Sequence, residues 1–249
     1  MRHDYLLRKR DAVLASGGLF WLPSGMSYDN VLAAYQFKGV ASEADSLADI
    51  SGHGRTLTKH SQSGNTPTWN SSYGWKFDAV YQGLCGYLNN AALNNQAIVC
   101  AVVRYSNLSN QDRGWLITAG GSTGLAQLMA KSAVWESSQV KTYDGPGYPS
   151  SSGHWQTSSA GTPTAGVIGA NFGSADKVYV DGVRRNTTTR SANTDKGDES
   201  WHTFGNVHAA KSDLNNAVHC GKRIQAAVFF GVALSDDQHL EVAERMMEI

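Results

Sequence analysis

The chain has 249 residues, of which 41% are hydrophobic, and its 21 basic residues balance its 21 acidic ones. This length and hydrophobic fraction allow one domain with a full core. The neutral charge balance excludes the basic footprint of a protein that binds nucleic acid or an anionic membrane surface. Gly is abundant, with 26 residues, and Ser, Thr and Asn crowd the segments between apolar runs. This composition is typical of many short strands joined by tight turns.

The N-terminal residues form a segment distinct from the strand-rich remainder. Residues 1–16 predict a helix that Gly17 and Gly18 end, and an apolar stretch follows at 19–23. We therefore predict an arm over 1–25 and a sandwich over 26–249. The arm either docks on a partner subunit or packs on its own domain, and the sequence leaves both possibilities open.

Two features of the chain bear on its cellular location. Asp4 and Asp11 interrupt the basic stretch that a secretory signal peptide would need, and the apolar run after it is too short. No segment approaches the length of a transmembrane helix, so membrane insertion is not expected. We therefore predict a protein without a secretory signal peptide.

From Val31 onward, short strand candidates alternate with turn signals. They are 31–37, 75–77, 98–105, 115–118, 167–172, 177–180, 201–204 and 224–232. Asp181-Gly182 between two strand-forming runs predicts a two-residue hairpin turn. Ser235 and Gln238 predict the capping box of a short C-terminal helix. Its residues Leu240, Ala243 and Met247 are expected to pack on the sheets.

Four local patterns, in this order, resemble the laminin-G-like branch of the concanavalin A-like jelly rolls, over roughly residues 28 to 245. They are Val31–Phe37 followed by Asp49-Ile50-Ser51-Gly52-His53-Gly54, then Trp75-Lys76-Phe77-Asp78, Val178-Tyr179-Val180-Asp181-Gly182, and Ile224–Ser235. Ala79 stands where the family usually has Gly. The resemblance implies an all-β fold: a two-sheet antiparallel jelly-roll sandwich whose concave sheet often forms a ligand groove, sometimes with bound calcium. It implies no single activity.

Asp49 is the one candidate metal ligand. Calcium prefers several hard oxygens, often one Asp together with backbone carbonyls from a tight loop, and the loop that follows Asp49 suits this pattern. The alternative is that Asp49 caps its own turn, which needs no metal, and we favour it. The three cysteines, Cys85, Cys100 and Cys220, form no CxxC pair. They therefore indicate neither a disulfide framework nor a structural zinc site.

Two patterns suggest catalysis, and neither is complete. Gly120-Gly121-Ser122-Thr123-Gly124 matches G-x-S-x-G. A nucleophile elbow needs a strand before it and a helix after it, and residues 125–133 would have to form that helix. A glycine-rich turn between strands explains the match more simply. Glucanases of this fold carry their catalytic carboxylates along one strand, in the pattern E-x-D-x-(x)-E. Glu43 and Asp45 match the start of that pattern, but the second Glu is missing. We therefore predict a protein without enzymatic activity. The alternative is a carbohydrate-active hydrolase that uses Glu43 and Asp45 as its acids.

The candidate ligand residues are Tyr143, Tyr148, His154 and Trp155, in a stretch over 142–163 that we predict to be a long loop. Rigid aromatic faces among small polar residues suit glycans and protein surfaces alike. The alternative is a loop folded over the sheet, with its aromatic residues closing the sandwich.

Laminin-G-like domains that stand alone, with a short N-terminal extension, are similar to accessory proteins of bacteriophage virions. The resemblance implies a non-catalytic binding or structural module on a phage head, tail or fibre, located in the virion or in the cytoplasm before assembly. Such a module would attach to other subunits through residues 1–25 and present a lectin-like sandwich to a glycan or a protein.

Overall fold

The computed structural model shows an all-β sandwich of two antiparallel sheets, as the resemblance implies. It describes residues 21–61, 66–78, 82–87, 99–106, 113–120, 125–131, 139–145, 154–161, 164–171, 177–185, 201–204 and 222–249. The helix predicted over 1–16 lies outside these residues. The predicted sandwich fold is confirmed.

The first sheet has eight strands within the described part of the chain. They are β1 (Val31–Gln36), β3 (Thr68–Asn70), β4 (Gly74–Phe77), β6 (Cys100–Ser106), β11 (Gly166–Asn171), β12 (Lys177–Val180), β13 (Val183–Arg184) and β15 (Lys222–Phe230). Their order is β13-β12-β11-β6-β15-β4-β3, and β1 also pairs with β15.

The second sheet has seven strands in the same residues. They are β2 (Thr58–Ser61), β5 (Gln82–Tyr87), β7 (Arg113–Gly120), β8 (Leu125–Lys131), β9 (Gln139–Gly145), β10 (His154–Gly161) and β14 (Trp201–Phe204). Their order is β10-β9-β8-β7-β14-β5-β2. All eight predicted strand segments overlap strands of the two sheets. The predicted segments omitted β2, β3, β5, β8, β9 and β10. The residues of β8 are mostly good helix formers, but pairing with β7 and β9 on both sides overrides their helix propensity.

The space between the sheets is filled by an inner core of apolar side chains from both layers. Phe204 of β14 lies near its centre, with ring centroids 5.3 Å from Phe37, 5.7 Å from Tyr35 and 5.8 Å from Phe229. Phe37 and Tyr35 each meet the Phe204 ring nearly edge-on, an arrangement that aromatic quadrupoles favour. The interlocked rings hold the two sheets in one relative position.

The described residues contain two short α-helices, α1 (Glu43–Leu47) and α2 (Asp236–Met247), and one turn of 3-10 helix, Tyr28–Asn30. The predicted capping box of α2 is confirmed: Ser235 Oγ accepts from the Gln238 N–H, and the Gln238 side chain accepts from the Ser235 N–H. Neither helix has the length and apolar character needed to cross a membrane.

Helix α2 covers the outer side of the first sheet and forms a second apolar group there, which we call the outer cluster. The cluster consists of Trp21, Val31, Ala34, Cys100, Val102, Val167, Ala226, Val228, Phe230, Leu234, Val242, Ala243 and Met246. The predicted buried stripe of α2 is correct for Ala243 and wrong for Leu240 and Met247, which are 41% and 43% exposed. The buried stripe instead contains His239, because polar partners from three strands accommodate its ring.

The described end of the predicted arm packs on its own domain. Trp21 is 1% exposed and belongs to the outer cluster. The Ser24 N–H and hydroxyl both donate to the Glu241 carboxylate, at 2.7 Å each, and Arg245 donates to the Leu22 carbonyl. Residues 21–25 are therefore fixed to α2, while residues 1–20 lie outside the described part of the chain.

The predicted Asp181-Gly182 turn is confirmed, and it is also a contact between layers. Val180 and Val183 are paired, and the two turn residues have φ values of 50° and 76°, as a two-residue hairpin turn requires. A Cβ on Gly182 would lie 2.5 Å from Leu240 Cα, so only Gly lets α2 approach this closely.

Candidate functional site

The face of the second sheet that points away from the inner core is defined by strand register. Leu84, Ile117 and Phe204 occupy opposed positions on β5, β7 and β14, and all three belong to the inner core. Because neighbouring residues in a strand alternate between faces, the next row, Cys85, Thr203 and Thr118, lies on the other side. We call that side the outer face.

The same row continues to the edge of the sheet and reaches two of the predicted ligand residues. Thr118 is opposed to Gln127, Gln127 to Tyr143, and Tyr143 to Trp155. Tyr143 and Trp155 therefore occupy directly opposed positions on the outer face, at the edge formed by β9 and β10. Opposed residues of an antiparallel pair are the closest cross-strand neighbours in a sheet.

The other two predicted ligand residues do not join this pair. His154 is opposed to Asp144, one position along, and these two positions belong to the opposite face. Tyr148 lies outside the described residues. The prediction of a loop over 142–163 is wrong at both ends, because β9 runs to Gly145 and β10 spans His154–Gly161. Their sequences lack apolar alternation, so only the pairing with β8 and with each other reveals them as strands.

Further residues reach the outer face that the sequence did not single out. Trp115 is opposed to Met129, which is opposed to Lys141, and Lys141 to Thr157. On the other side of the Tyr143 row, Tyr87 and Trp201 are opposed. A signal for these residues was present in the strand alternation. Met129, Lys141, Thr157, Tyr87 and Trp201 each stand two positions from another outer-face residue, and Trp115 is separated from Thr118 by the bulge at Leu116. Reading it requires knowing which strands pair.

One end of the outer face is covered. Cys85 is 1% exposed although it belongs to neither the inner core nor the outer cluster. Cys85, at the β5 end of the outer face, is therefore shielded from solvent. Both described helices pack on strands of the first sheet, α1 on β1 and α2 on β6, β11 and β13.

Asp49, the candidate calcium ligand, joins its own loop to β1 through hydrogen bonds. One carboxylate oxygen accepts from the backbone N–H groups of Ala34 at 3.0 Å and Ser51 at 2.9 Å. The other accepts from the Arg55 N–H at 3.1 Å. Three backbone donors therefore use the oxygens that a metal would need. Among the described residues, no group of three or more His, Cys, Asp or Glu side chains is arranged to hold a metal ion. The calcium prediction itself stays untested.

Glu43 and Asp45, the acids of the alternative hydrolase, lie on helix α1 and not along a strand. Asp45 accepts from the Ser42 hydroxyl at 2.7 Å, and Ser42 caps the helix. Glu43 forms an ion pair with Lys59 at 2.5 Å. The strand arrangement that the glucanase pattern needs is therefore not present at these residues. The G-x-S-x-G match likewise lies between two paired strands, because Gly120 is opposed to Leu125 where a nucleophile elbow needs a helix.

A Cys–His pair joins α2 to the first sheet, and its buried environment disfavours a thiolate. His239 Nε2 is 3.0 Å from Asn171 Oδ1 and 3.7 Å from Cys100 Sγ, and its ring stacks on Tyr179 at 3.6 Å. The Asn171 oxygen also accepts from the Leu234 N–H, so Nε2 carries the proton that it donates to Asn171. A reactive thiol needs a lowered pKa. Burial here raises the pKa of Cys100 and lowers the pKa of His239 to about 3.

The neutral state of His239 predicts a loss of stability in acid. Since its pKa is lower in the folded chain than in the unfolded one, its contribution is complete above about pH 6.5 and is lost as the pH falls toward 3. The loss is about 1.4 kcal/mol per pH unit. His239→Gln, whose amide can still donate to Asn171, should remove this part of the slope in urea unfolding at pH 7, 5 and 4. His53→Gln, at an exposed position, is the control; an unchanged slope in His239→Gln would contradict the assignment.

A second prediction separates the turn cap from the metal ligand at Asp49. Asp49→Ala should lower the free energy of unfolding by about 2–4 kcal/mol, because three backbone N–H groups lose their acceptor. The loss should be the same in EDTA and in millimolar calcium. Asp45→Ala, at an exposed position on α1, should cost about 1 kcal/mol or less. A loss that appears only with calcium would instead establish a metal site.

Comparisons with known proteins yield structural neighbours only. No protein-family model matches the sequence, and no curated protein matches it. Among solved structures, the binding domain of botulinum neurotoxin DC in complex with SialylT has a TM-score of 0.62 and 12% identity, over 88% of this chain and 52% of that one.

Two further neurotoxin structures show the same relation. The structure of botulinum neurotoxin type C, described by its interaction with two ganglioside molecules, has a TM-score of 0.61 and 11% identity, over 88% of this chain and 52% of that one. The binding domain of botulinum neurotoxin DC in complex with rat synaptotagmin II has a TM-score of 0.61 and 12% identity, with the same coverage. The chain thus spans about half the length of these neighbours, and at these identities it is similar to them in fold alone.

Proposed function

We propose that this protein is a non-catalytic binding module that holds a glycan on the outer face of its second sheet. The observation that carries the proposal is the opposed position of Tyr143 and Trp155 at the edge of that face. Gln127 and Thr118 continue the same row. Aromatic rings supply flat apolar area for sugar rings, and neighbouring amides and hydroxyls supply hydrogen bonds for sugar hydroxyls.

The structural neighbours support a binding role as an analogy of fold. Two of them are binding domains in complex with SialylT and with a protein, synaptotagmin II, and the third is described by an interaction with two ganglioside molecules. Fold does not determine function, so the glycan assignment depends on the row of residues and not on the neighbours. A protein ligand on the same face is the other outcome that the binding experiment below distinguishes.

The proposal also has a finer part, which is supported by the sequence resemblance. The protein would be an accessory protein of a bacteriophage head, tail or fibre, present in the virion and in the cytoplasm before assembly. Residues 1–25 would attach it to another subunit. The two sides of the sandwich are compatible with this division of labour: Trp21 packs on the outer side of the first sheet, and the proposed glycan face belongs to the second.

The glycan proposal predicts a specific set of variant affinities. Tyr143→Ala and Trp155→Ala should each weaken binding to a glycan-array ligand by at least tenfold, since a buried aromatic anchor contributes about 2 kcal/mol or more. Leu240→Ala, at an exposed position on α2, should bind normally. Glu43→Gln should also bind normally and should change no product pattern, because binding occurs without turnover. Released oligosaccharides that disappear in Glu43→Gln would overturn the proposal, and capture of proteins without glycans would point to a protein ligand.

The arm proposal predicts different results for two truncations. Deletion of residues 1–20 should leave a folded sandwich that no longer joins its native assembly. Deletion of 1–23 should also lower the unfolding midpoint, because it removes Trp21 from the outer cluster and the carbonyl of Leu22 from Arg245. Urea unfolding and size-exclusion chromatography with the assembly partner measure both effects. Normal assembly of the 1–20 deletion would contradict attachment through the arm.

A further inference from the structure

The charged residues of the second sheet are distributed unequally between its two faces. Its seven strands contain one acidic residue, Asp144, which register assigns to the face toward the core. Three of the basic residues in these strands, Arg113, Lys131 and Lys141, have outer-face positions. The outer face of the described strands is therefore basic, in a chain whose total charge is zero.

The basic positions are contiguous. Arg113 and Lys131 are directly opposed on β7 and β8. Lys141 on β9 is opposed to Met129, and Met129 stands two residues from Lys131 on β8. Lys141 is therefore the diagonal neighbour of Lys131. We call these three positions the basic corner. It adjoins the row of Trp115, Met129 and Thr157, and Tyr143 follows Lys141 by two residues on the same face.

Like charges at directly opposed positions destabilise an antiparallel pair. Arg113 and Lys131 occupy such opposed positions, and an anion bound between these positions would offset the repulsion expected of the pair. Charge-assisted hydrogen bonds to carboxylate or sulfate oxygens are about twice as strong as neutral ones. An aromatic band beside a basic corner thus combines a stacking surface for sugar rings with a counter-charge for acidic substituents.

We infer that the ligand of the outer face is an acidic oligosaccharide, whose sugar rings lie over Tyr143 and Trp155 and whose anionic groups reach Arg113, Lys131 and Lys141. This inference rests on the proposed glycan function and specifies its substrate class. The shared chemistry of the ligand is an anionic group on a sugar ring. Uronic acids and sulfated sugars both supply it, and the experiment distinguishes them.

The test compares matched probes on the full-length chain by isothermal titration calorimetry. The probes are a galacturonic acid hexamer, the same hexamer as its neutral methyl ester, and a sulfated hexasaccharide. An anionic hexamer should bind at least tenfold more tightly than the ester in 50 mM salt, and the difference should shrink in 500 mM salt as screening increases. Which anionic hexamer binds more tightly distinguishes carboxylate from sulfate recognition.

Variants locate the charge recognition. Arg113→Gln combined with Lys131→Gln should reduce affinity for the anionic hexamer at least tenfold, leave affinity for the ester unchanged, and slightly raise the unfolding midpoint of the free protein. Lys141→Gln alone should give a smaller loss of the same kind, and it serves if the double variant does not fold. Lys59→Gln is the matched control, because Lys59 belongs to the same sheet but pairs with Glu43 at 2.5 Å.

The outcomes separate this inference from the function on which it rests. Equal binding of ester and acid, lost in Trp155→Ala, would overturn the acidic specificity and keep the glycan function. Anionic binding that is unaffected in the Arg113, Lys131 and Lys141 variants would also overturn the inference. Absence of binding to every sugar would remove both. Binding of single-stranded DNA through Arg113 and Lys131, without sugar binding, would replace the acidic oligosaccharide with a nucleic acid.

Discussion

The architecture depends on the burial of β15 on both of its sides. Every residue from Ile224 to Phe230 is buried. Ile224, Ala227 and Phe229 enter the inner core, whereas Ala226, Val228 and Phe230 enter the outer cluster. The strand is held along one edge by β6 and along the other by β4 and then β1. A strand in this position needs apolar residues at consecutive positions. It also needs a cover for each side, which the second sheet and helix α2 supply.

This arrangement makes the two outer surfaces of the sandwich unequal. The outer side of the first sheet is apolar and is occupied by α2 and Trp21. The side chains there are used for folding, and Gly182 marks how closely the helix approaches. The outer face of the second sheet has aromatic, amide, hydroxyl and basic residues at its positions, and neither described helix packs on it. The composition of this face is the reason that we propose the ligand site on the second sheet.

The polar groups that first suggest chemistry have structural partners in the described residues. Asp49 receives three backbone donors, and His239 is neutral between Asn171 and Tyr179. Such groups are costly to bury unless they are paired, so their pairing explains their positions without a catalytic role. Because burial lowers the pKa of His239, the docking of α2 is predicted to weaken in acid. The predicted pH-dependent side of the sandwich is therefore the α2 side, and the proposed ligand side is on the second sheet.

The sequence by itself determined the features that depend on neighbouring residues. The Asp181-Gly182 turn, the Ser235–Gln238 capping box and eight strand positions were readable because turn geometry, caps and apolar runs are local. The sandwich class was implied by the resemblance of four ordered motifs to the laminin-G-like jelly rolls. The strands β8, β9 and β10 were not readable, since their residues favour helix or loop and become strands only through pairing.

Which residues share the outer face was likewise decided by tertiary structure. A shift of one residue in register exchanges the faces of a strand, so Tyr143 and Trp155 meet, and His154 is separated from them, only because β8, β9 and β10 pair as they do.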